Sequence, residues 1–548
     1  MRFFIFKAVN VLYFPLNEDI SSKLEDIALN LSYMSARCTE WTVLYSGLGI
    51  YNHISNKELK RFYSHFKIKP EDRNVDLLHF VKCVYKKGRP EFLKPLKSSK
   101  RDRKYLWRSD TYSKEIPVIS QAFSILSLCS VSSLIKHHEK FLSITMLKNA
   151  DSIFDFLIKN MKSGEGHFVS YEDKTAPHKE DLTLKRTDKH PNLLCQIYLH
   201  EGFLMLYNET NPPKYRHYFK NSEIYLDESR KLFRHLFEGS EYLLELKSKD
   251  LSSTISSLYR CYCIESDESF KQQYLNMITL LSLELESRVT SKGEVTRGDD
   301  DDSYSSLLTH FKTLSALIEG YFATDLYPLK EASTSIFSYL NENYDPLSGL
   351  FMRKSEYKLR FTSKDIAEII KTLSLYQILE NDDTSFDMLK GFYKTSIEES
   401  SLFASTKERE PEFLSHKIKI PDTIPLYEQN KKAPVFLKGF KVNTKKSHLP
   451  MTSRGFSSHY GLYSSFIFTL YFKPIIEYKK LLTGDVSERS NEFLEDIYYN
   501  ILNRNFEDNV DQSDSDELDD EVLDDDDMDR GFINEVSTTL LDNIKEKE

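Results

Sequence analysis

The chain has 548 residues, 40% of them hydrophobic and 29% charged, with a net charge of -10. That length exceeds the roughly 100–200 residues of one ordinary core, and the composition excludes a mostly disordered chain. The acidity is local: residues 507–548 hold 18 acids against 3 bases, a net of -15 that leaves the preceding 506 residues at +5.

The first 17 residues, MRFFIFKAVNVLYFPLN, are interrupted by Lys7 and Asn10 and followed by no small-residue cleavage site, so no secretory signal is expected. No run reaches the roughly 18 consecutive apolar residues of a membrane span. The six cysteines are sparse, and Cys129 and Cys195 sit in apolar helical patterns, which suits a reducing, cytoplasmic setting. Cys261 and Cys263 form the one close pair without a matching second pair of ligands, so neither metal nor cofactor is expected.

Residues 1–118 mix helical and irregular patterns and read as an N-terminal extension or small domain. It ends in a basic connector, 95–108, that carries Tyr105 and Trp107. Its short length and alternating acids make it a solvated connector, and nucleic acid is not an expected partner. From Ile119 onward, 3.6-residue periods come in pairs: 120–130 with 139–162, 193–207 with 215–237, 251–264 with 270–288, 304–322 with 328–343, and 363–379 with 385–400. A sixth pair, 460–472 with 487–503, follows an insertion or long loop at about 401–458. Glycine ends several second helices, in SGEGHF (163–168), SKGEV (291–295) and LSGLF (347–351), where an apolar residue can fold back on the helix end.

Six hairpins with more uniformly apolar first helices, these exits, and the segment HEGFLMLYNETNPPKYRHYF (200–219) resemble the (α/α)6 toroids of six-hairpin glycosidases and sugar epimerases. The resemblance implies an all-α toroid over about 119–505 and a carbohydrate ligand in an axial cleft. It brings no diagnostic family motif, and a toroid fold hosts unrelated activities.

Candidate chemistry belongs at inner-helix ends and in the loops after outer helices. Glu165 and His167 lie between glycines, open to a ligand or forming a solvated turn. His190 precedes a helix on which Gln196, His200 and Glu201 follow. Glu201, in the apolar stretch LHEGFLMLY, would be a general acid if burial raised its pKa. In RGDDDDSYSS (297–306), Asp302 or Ser303 can cap the next helix, while Asp301 or Asp302 is the second candidate catalytic carboxylate. Asp365 at the start of the fifth first helix, and His459 and Tyr460 at the start of the sixth, suit hydrogen bonding and stacking on a sugar.

Residues 506–548 are expected to be a disordered acidic tail that regains a helical period at its end, through Phe532, Val536, Leu540 and Ile544. Two functions follow. One is a glycoside hydrolase-like or epimerase-like enzyme using carboxylate acid/base chemistry. The other is a non-catalytic toroid that binds a protein or other macromolecule through its insertion and tail, with a cleft plugged by Tyr and Phe.

Overall fold

The computed structural model describes residues 16–482, apart from 69–78, 92–105, 137–138, 177–180, 217, 220–221, 299–300, 355 and 405–432. Its helices, in chain order, are α1 (Glu18–Glu40), α2 (Asn56–His65), α3 (Val118–Ile135), α4 (Lys140–Phe156), α5 (Leu193–Thr210), α6 (Pro213–Arg216), α7 (Ser222–Glu238), α8 (Ser240–Leu244), α9 (Ser248–Ile264), α10 (Glu268–Ser287), α11 (Leu307–Thr324), α12 (Tyr327–Glu342), α13 (Ser363–Glu380), α14 (Asp383–Tyr393) and α15 (Ser458–Leu482).

Six of these close a ring. Helix α3 packs on α5, α5 on α9, α9 on α11, α11 on α13, α13 on α15, and α15 back on α3. Outside them lie α4 on α3, α7 on α5, α10 on α9, α12 on α11, α14 on α13, and α1 on α15. The architecture is the (α/α)6 toroid that the sequence pattern predicts. The second helix expected for the sixth pair, 487–503, falls outside the described residues, as does the acidic tail. The outer place beside α15 is taken by α1, which lies within the segment expected as an N-terminal extension. Ile20, Leu24, Ile27, Ala28 and Leu31 make a buried stripe on α1 at helical spacing, and a stripe of that kind needs a partner.

The inner helices are apolar because they are covered on all sides. In α3, long and apolar enough to cross a membrane, only Ile119, Leu134 and Ile135 escape full burial. Its serines are tolerated there because Ser124, Ser127 and Ser130 donate to carbonyls one turn back at 2.6, 3.2 and 3.1 Å. The outer helices are amphipathic; α7 buries Tyr225, Leu232, Phe233 and Leu236 and leaves its charged face in water.

Three outer helices, α4, α10 and α12, hand the chain to the next inner helix through a left-handed glycine. Gly166, Gly293 and Gly349 have φ of 86°, 76° and 68°, and Phe168, Val295 and Phe351 beyond them are buried. A second device then fixes the returning strand. The Gln196 amide donates to Phe168 O and accepts from Phe168 N, both at 2.9 Å, and His310 Nε2 accepts from Val295 N at 3.0 Å. Gln121 holds Val84 in the same way at 2.9 and 2.8 Å.

The segment expected as a long loop, 401–458, holds strands in its described parts. Gly439–Asn443 pairs with both Lys358–Thr362 and Ser447–Thr452, because Phe440 and Val442 alternate toward the core. Trp107, from the basic connector, is buried edge-on against Phe456 at 5.2 Å.

A methyl group on Gly293 would lie 2.0 Å from Ser335 O at a positive φ, whereas Gly164 has open space around it. Gly293→Ala should therefore lower unfolding stability by about 2 kcal/mol or more in urea titrations, with Gly164→Ala within about 0.5 kcal/mol of the parent.

Candidate functional site

Residues from the first turns of the inner helices meet one another, as do residues from the last turns, so the six helices run parallel and the ring has two distinct ends. At the last-turn end, Ser130, Ser133, Asn208, Glu209, Thr469 and Lys473 surround a cavity of about 20 Å³, room for a single water. That end is closed. A surface hollow of about 430 Å³ on α2 is lined by Lys57, Lys60, Arg61 and Ser64 and gathers no carboxylate or imidazole. The candidate site is the first-turn end, the mouth.

The ring axis below the mouth is filled by charged groups. Arg260 grips Glu201 with two bonds, Nε to Oε1 at 2.5 Å and Nη2 to Oε2 at 2.8 Å, and Ser257 Oγ donates to Oε2 at 2.6 Å. Arg260 Nη1 also reaches the Tyr471 hydroxyl at 3.4 Å, and that hydroxyl donates to Glu319. Lys371 lies 3.9 Å from Glu319 and 3.0 Å from Glu368, and Tyr463 donates to Glu368. Glu201, Arg260, Glu319, Glu368 and Lys371 are all buried. The Glu368 carboxyl is held down at about 2: burial pushes its pKa up, but Lys371, Lys312 and the Tyr463 hydroxyl outweigh that.

Above this network lies an aromatic layer. Phe123 packs on Tyr198 and on Tyr463, both at 4.8 Å, and the Lys364 ammonium lies 5.0 Å over Tyr463 and 5.8 Å over Phe123. The rim above it is half-buried and polar: Lys364, Asp365, His459 and Tyr460. The rings of His459 and Tyr460 meet edge-on at 4.1 Å, and His459 Nδ1 shares a hydrogen bond with Ser457 Oγ at 3.1 Å. Burial, and after it the charges of Lys364, Lys86, Lys87 and Lys438, push the His459 pKa well below the imidazole range. Asp365 closes a capping box with Thr362, its Oδ2 accepting from Thr362 N at 2.9 Å, and burial pushes its carboxyl pKa up. Lys312 of α11 is buried beneath the rim and donates to Ser253 Oγ at 3.2 Å. Burial, with Lys364 nearby, pushes its pKa down to about 7.

The residues singled out in the sequence thus divide. Asp365, His459 and Tyr460 come together at the mouth. Glu201 is on the axis, but its oxygens accept from a guanidinium and a hydroxyl and reach no solvent, which is the geometry of a structural ion pair. His167 is half-buried beside His235, with ring centroids 5.4 Å apart, and burial and that second imidazole push its pKa down. His190 is half-buried in the turn before α5. His200 points away from the axis, with Nδ1 at 2.9 Å from Ser229 O and Nε2 at 2.9 Å from the Tyr274 hydroxyl. Asp301 and Asp302 do not start the helix as expected, because Asp301–Tyr304 pairs as a strand with Thr296–Gly298. Their side chains lie outside the described residues, and Ser306 is the cap, accepting from Thr309 N at 3.3 Å. Sequence reasoning missed Arg260, Lys312, Glu319, Glu368 and Lys371. Their signal was a lone charge inside an apolar first helix, as in LLTHFKTLSALIEGYF.

No protein-family model matches the sequence, and no curated protein does. Among solved structures, the chain is similar to a cellobiose 2-epimerase from Spirochaeta thermophila, at 7% identity and a TM-score of 0.48, covering 77% of this chain and 99% of that one. It is also similar to a D-mannose isomerase, at 10% identity and a TM-score of 0.47 over 77% and 98% of the two chains. A family 76 glycoside hydrolase (mannosidase) from Bacteroides thetaiotaomicron matches at 8% identity and a TM-score of 0.40 over 83% and 100%. Likenesses this distant say nothing of which residues act.

Breaking a buried pair strands a charge. Glu201→Gln should cost about 3–5 kcal/mol of unfolding free energy, and adding Arg260→Met should return most of it, a non-additivity that a double-mutant cycle reads directly. Lys312 gives a pH signature. With its folded pKa depressed to about 7, the unfolded chain binds the extra proton between pH 7 and the ordinary lysine value, so this group's contribution to stability rises as pH increases through that window. Lys312→Met should therefore be more stable than the parent at pH 6, by on the order of 2–4 kcal/mol, and the gap should shrink toward pH 9. A gap equal at both pH values in thermal melts would refute the depressed pKa.

Proposed function

We propose that the chain acts on a carbohydrate at the ring mouth, by proton transfer to and from a carbon beside a sugar carbonyl, the chemistry of epimerases and isomerases. The observation that supports this over hydrolysis is the state of the carboxylates and the imidazole. A glycosidase needs two carboxyl groups facing one bond, roughly 5–5.5 Å apart for retention or 6.5–9.5 Å for inversion. Glu201, Glu319 and Glu368 are instead sealed in the axial network. His459 stands at the rim as a neutral imidazole whose basicity burial and the surrounding lysines lower, so it takes a proton only where negative charge developing on the ligand offsets those lysines. The lysines that keep it neutral also favour the negative charge that develops on an enolate oxygen.

The remaining roles follow from the rim. Tyr460 offers a half-exposed ring for a sugar face, and Asp365 and Lys364 offer an acceptor and a donor for hydroxyls. The mouth is shallow because the aromatic layer closes it below, so it suits a single sugar or the reducing end of a saccharide.

A second reading is favoured by the sealed axis itself: a non-catalytic toroid that binds its ligand at the same rim. One experiment separates the two. Purified protein is incubated with reducing sugars in D2O, and deuterium at the carbon beside the carbonyl is followed by NMR. Exchange is expected with the parent and should fall about 100-fold or more in His459→Gln. Release of new reducing ends without exchange would favour hydrolysis, and sugar binding with neither would favour the non-catalytic toroid.

A further inference from the structure

Lys312 is a cation in an unusual place. Its side chain comes off the second turn of α11, buried to 4% exposure and within electrostatic reach of Lys364 at the rim. Among the described residues no carboxylate lies within ion-pair distance of its ammonium, whose hydrogen bond goes to the neutral Ser253 hydroxyl at 3.2 Å. The facing charges do not neutralise it. From α13 come Lys364, Asp365 and Glu368, and from α9 Lys249 and Asp250. Glu368 is already engaged by Lys371 at 3.0 Å and by Tyr463, and Asp365 is turned into its capping box with Thr362. Lys364, Lys87 and Lys438 add positive charge around the neighbouring His459, where Lys86 is itself paired with Glu115 at 3.0 Å. The first turns of six parallel helices point their dipoles the same way. A buried ammonium is costly unless paired, and among the described residues no carboxylate is in ion-pair contact with this one.

From this we infer that the ligand of the mouth carries an anionic group, a phosphate or a carboxylate on a sugar, which seats against Lys312 and Lys364 and supplies the missing counter-charge. The inference rests on the mouth being the sugar site. It adds the substrate class: a sugar phosphate or sugar acid is selected over the neutral sugar. Anion binding should draw a proton onto Lys312 wherever the unliganded amine is largely neutral, so association at pH 8 should be accompanied by proton uptake.

The test is calorimetric titration of the full chain with a hexose phosphate, a hexuronate, the parent neutral hexose and inorganic phosphate, at pH 8 in two buffers of different ionisation enthalpy. The expected result is that one of the anionic sugars binds at least tenfold more tightly than the neutral hexose, with buffer-dependent heat that reports proton uptake. Which of the two binds tells phosphate from carboxylate. In Lys312→Met the ratio of anionic to neutral affinity should fall to about one and the proton uptake should vanish. Lys364→Gln, at the half-exposed rim, should lower the same ratio and serves as the second variant if Lys312→Met does not fold. Equal affinity for anionic and neutral sugars in the parent would overturn the inference and leave the mouth as a sugar site. No binding of any sugar would overturn both. Tight binding of inorganic phosphate with none of the sugars would mark an anion site unconnected to carbohydrate.

Discussion

The ring is held at its centre by one continuous run of buried polar contacts: Glu201, Arg260, Tyr471, Glu319, Lys371, Glu368 and Tyr463. These side chains come from α5, α9, α15, α11 and α13, five of the six inner helices. The sixth, α3, joins through Phe123 on Tyr463 and through Lys473, whose ammonium donates to Ser133 Oγ at 2.7 Å. Apolar contact alone holds helices together but leaves their rotation and slide loosely specified, since hydrophobic attraction has no direction. A guanidinium bound to a carboxylate through two bonds fixes both. The Glu201–Arg260 pair therefore does for the ring what apolar packing cannot: it sets the register of α5 against α9.

The same arrangement decides where chemistry can occur. Parallel inner helices gather all their first turns at one end, along with the segments that return from the outer helices. The short sheets sit in those returning segments, and Gln121, Gln196 and His310 tie main chain from them to the inner helices one turn in. The opposite end tapers to a space for one water, and the axis between is occupied. What is left for a ligand is the rim, where side chains are half-buried, aromatic or cationic, and held by helix starts with fixed caps such as Thr362 with Asp365.

Much of this was legible in the sequence. The paired 3.6-residue periods gave the ring, because apolar first helices and amphipathic second ones record burial on all sides against burial on one. The exits at Gly166, Gly293 and Gly349 were legible because a left-handed cap is a local requirement. That Asp365, His459 and Tyr460 share one end of the ring was legible because they lie at helix starts. Ring closure by α1 was not legible, since its apolar stripe at Ile20, Leu24 and Ile27 shows that it must pack without showing on what. Glu201 was misread for a related reason. Its position in an apolar stretch left burial and partial exposure equally open, and the neighbour that decides between an acid and an ion-pair partner, Arg260, is 59 residues away. The run of Asp before α11 suggested a cap by charge, and strand pairing moved the helix start to Ser306.

The axial run and the mouth are not independent. Glu368 faces Lys371 below and is drawn electrostatically to Lys312 above, so it is shared between a structural cation and a cation beside the ligand. Lys371 takes most of that carboxylate because it sits in ion-pair contact, and Lys312 is left undercompensated by the interaction that completes the ring. Replacing the whole axial run by well-packed apolar side chains need not cost stability, since buried ion pairs often gain little over hydrophobic isosteres. Such a change would remove a carboxylate that partly supports a charge on Lys312, and the amine would stay neutral over a wider range of pH. The axial charges thus set the electrostatic state of the mouth, which an apolar core of equal stability would not do.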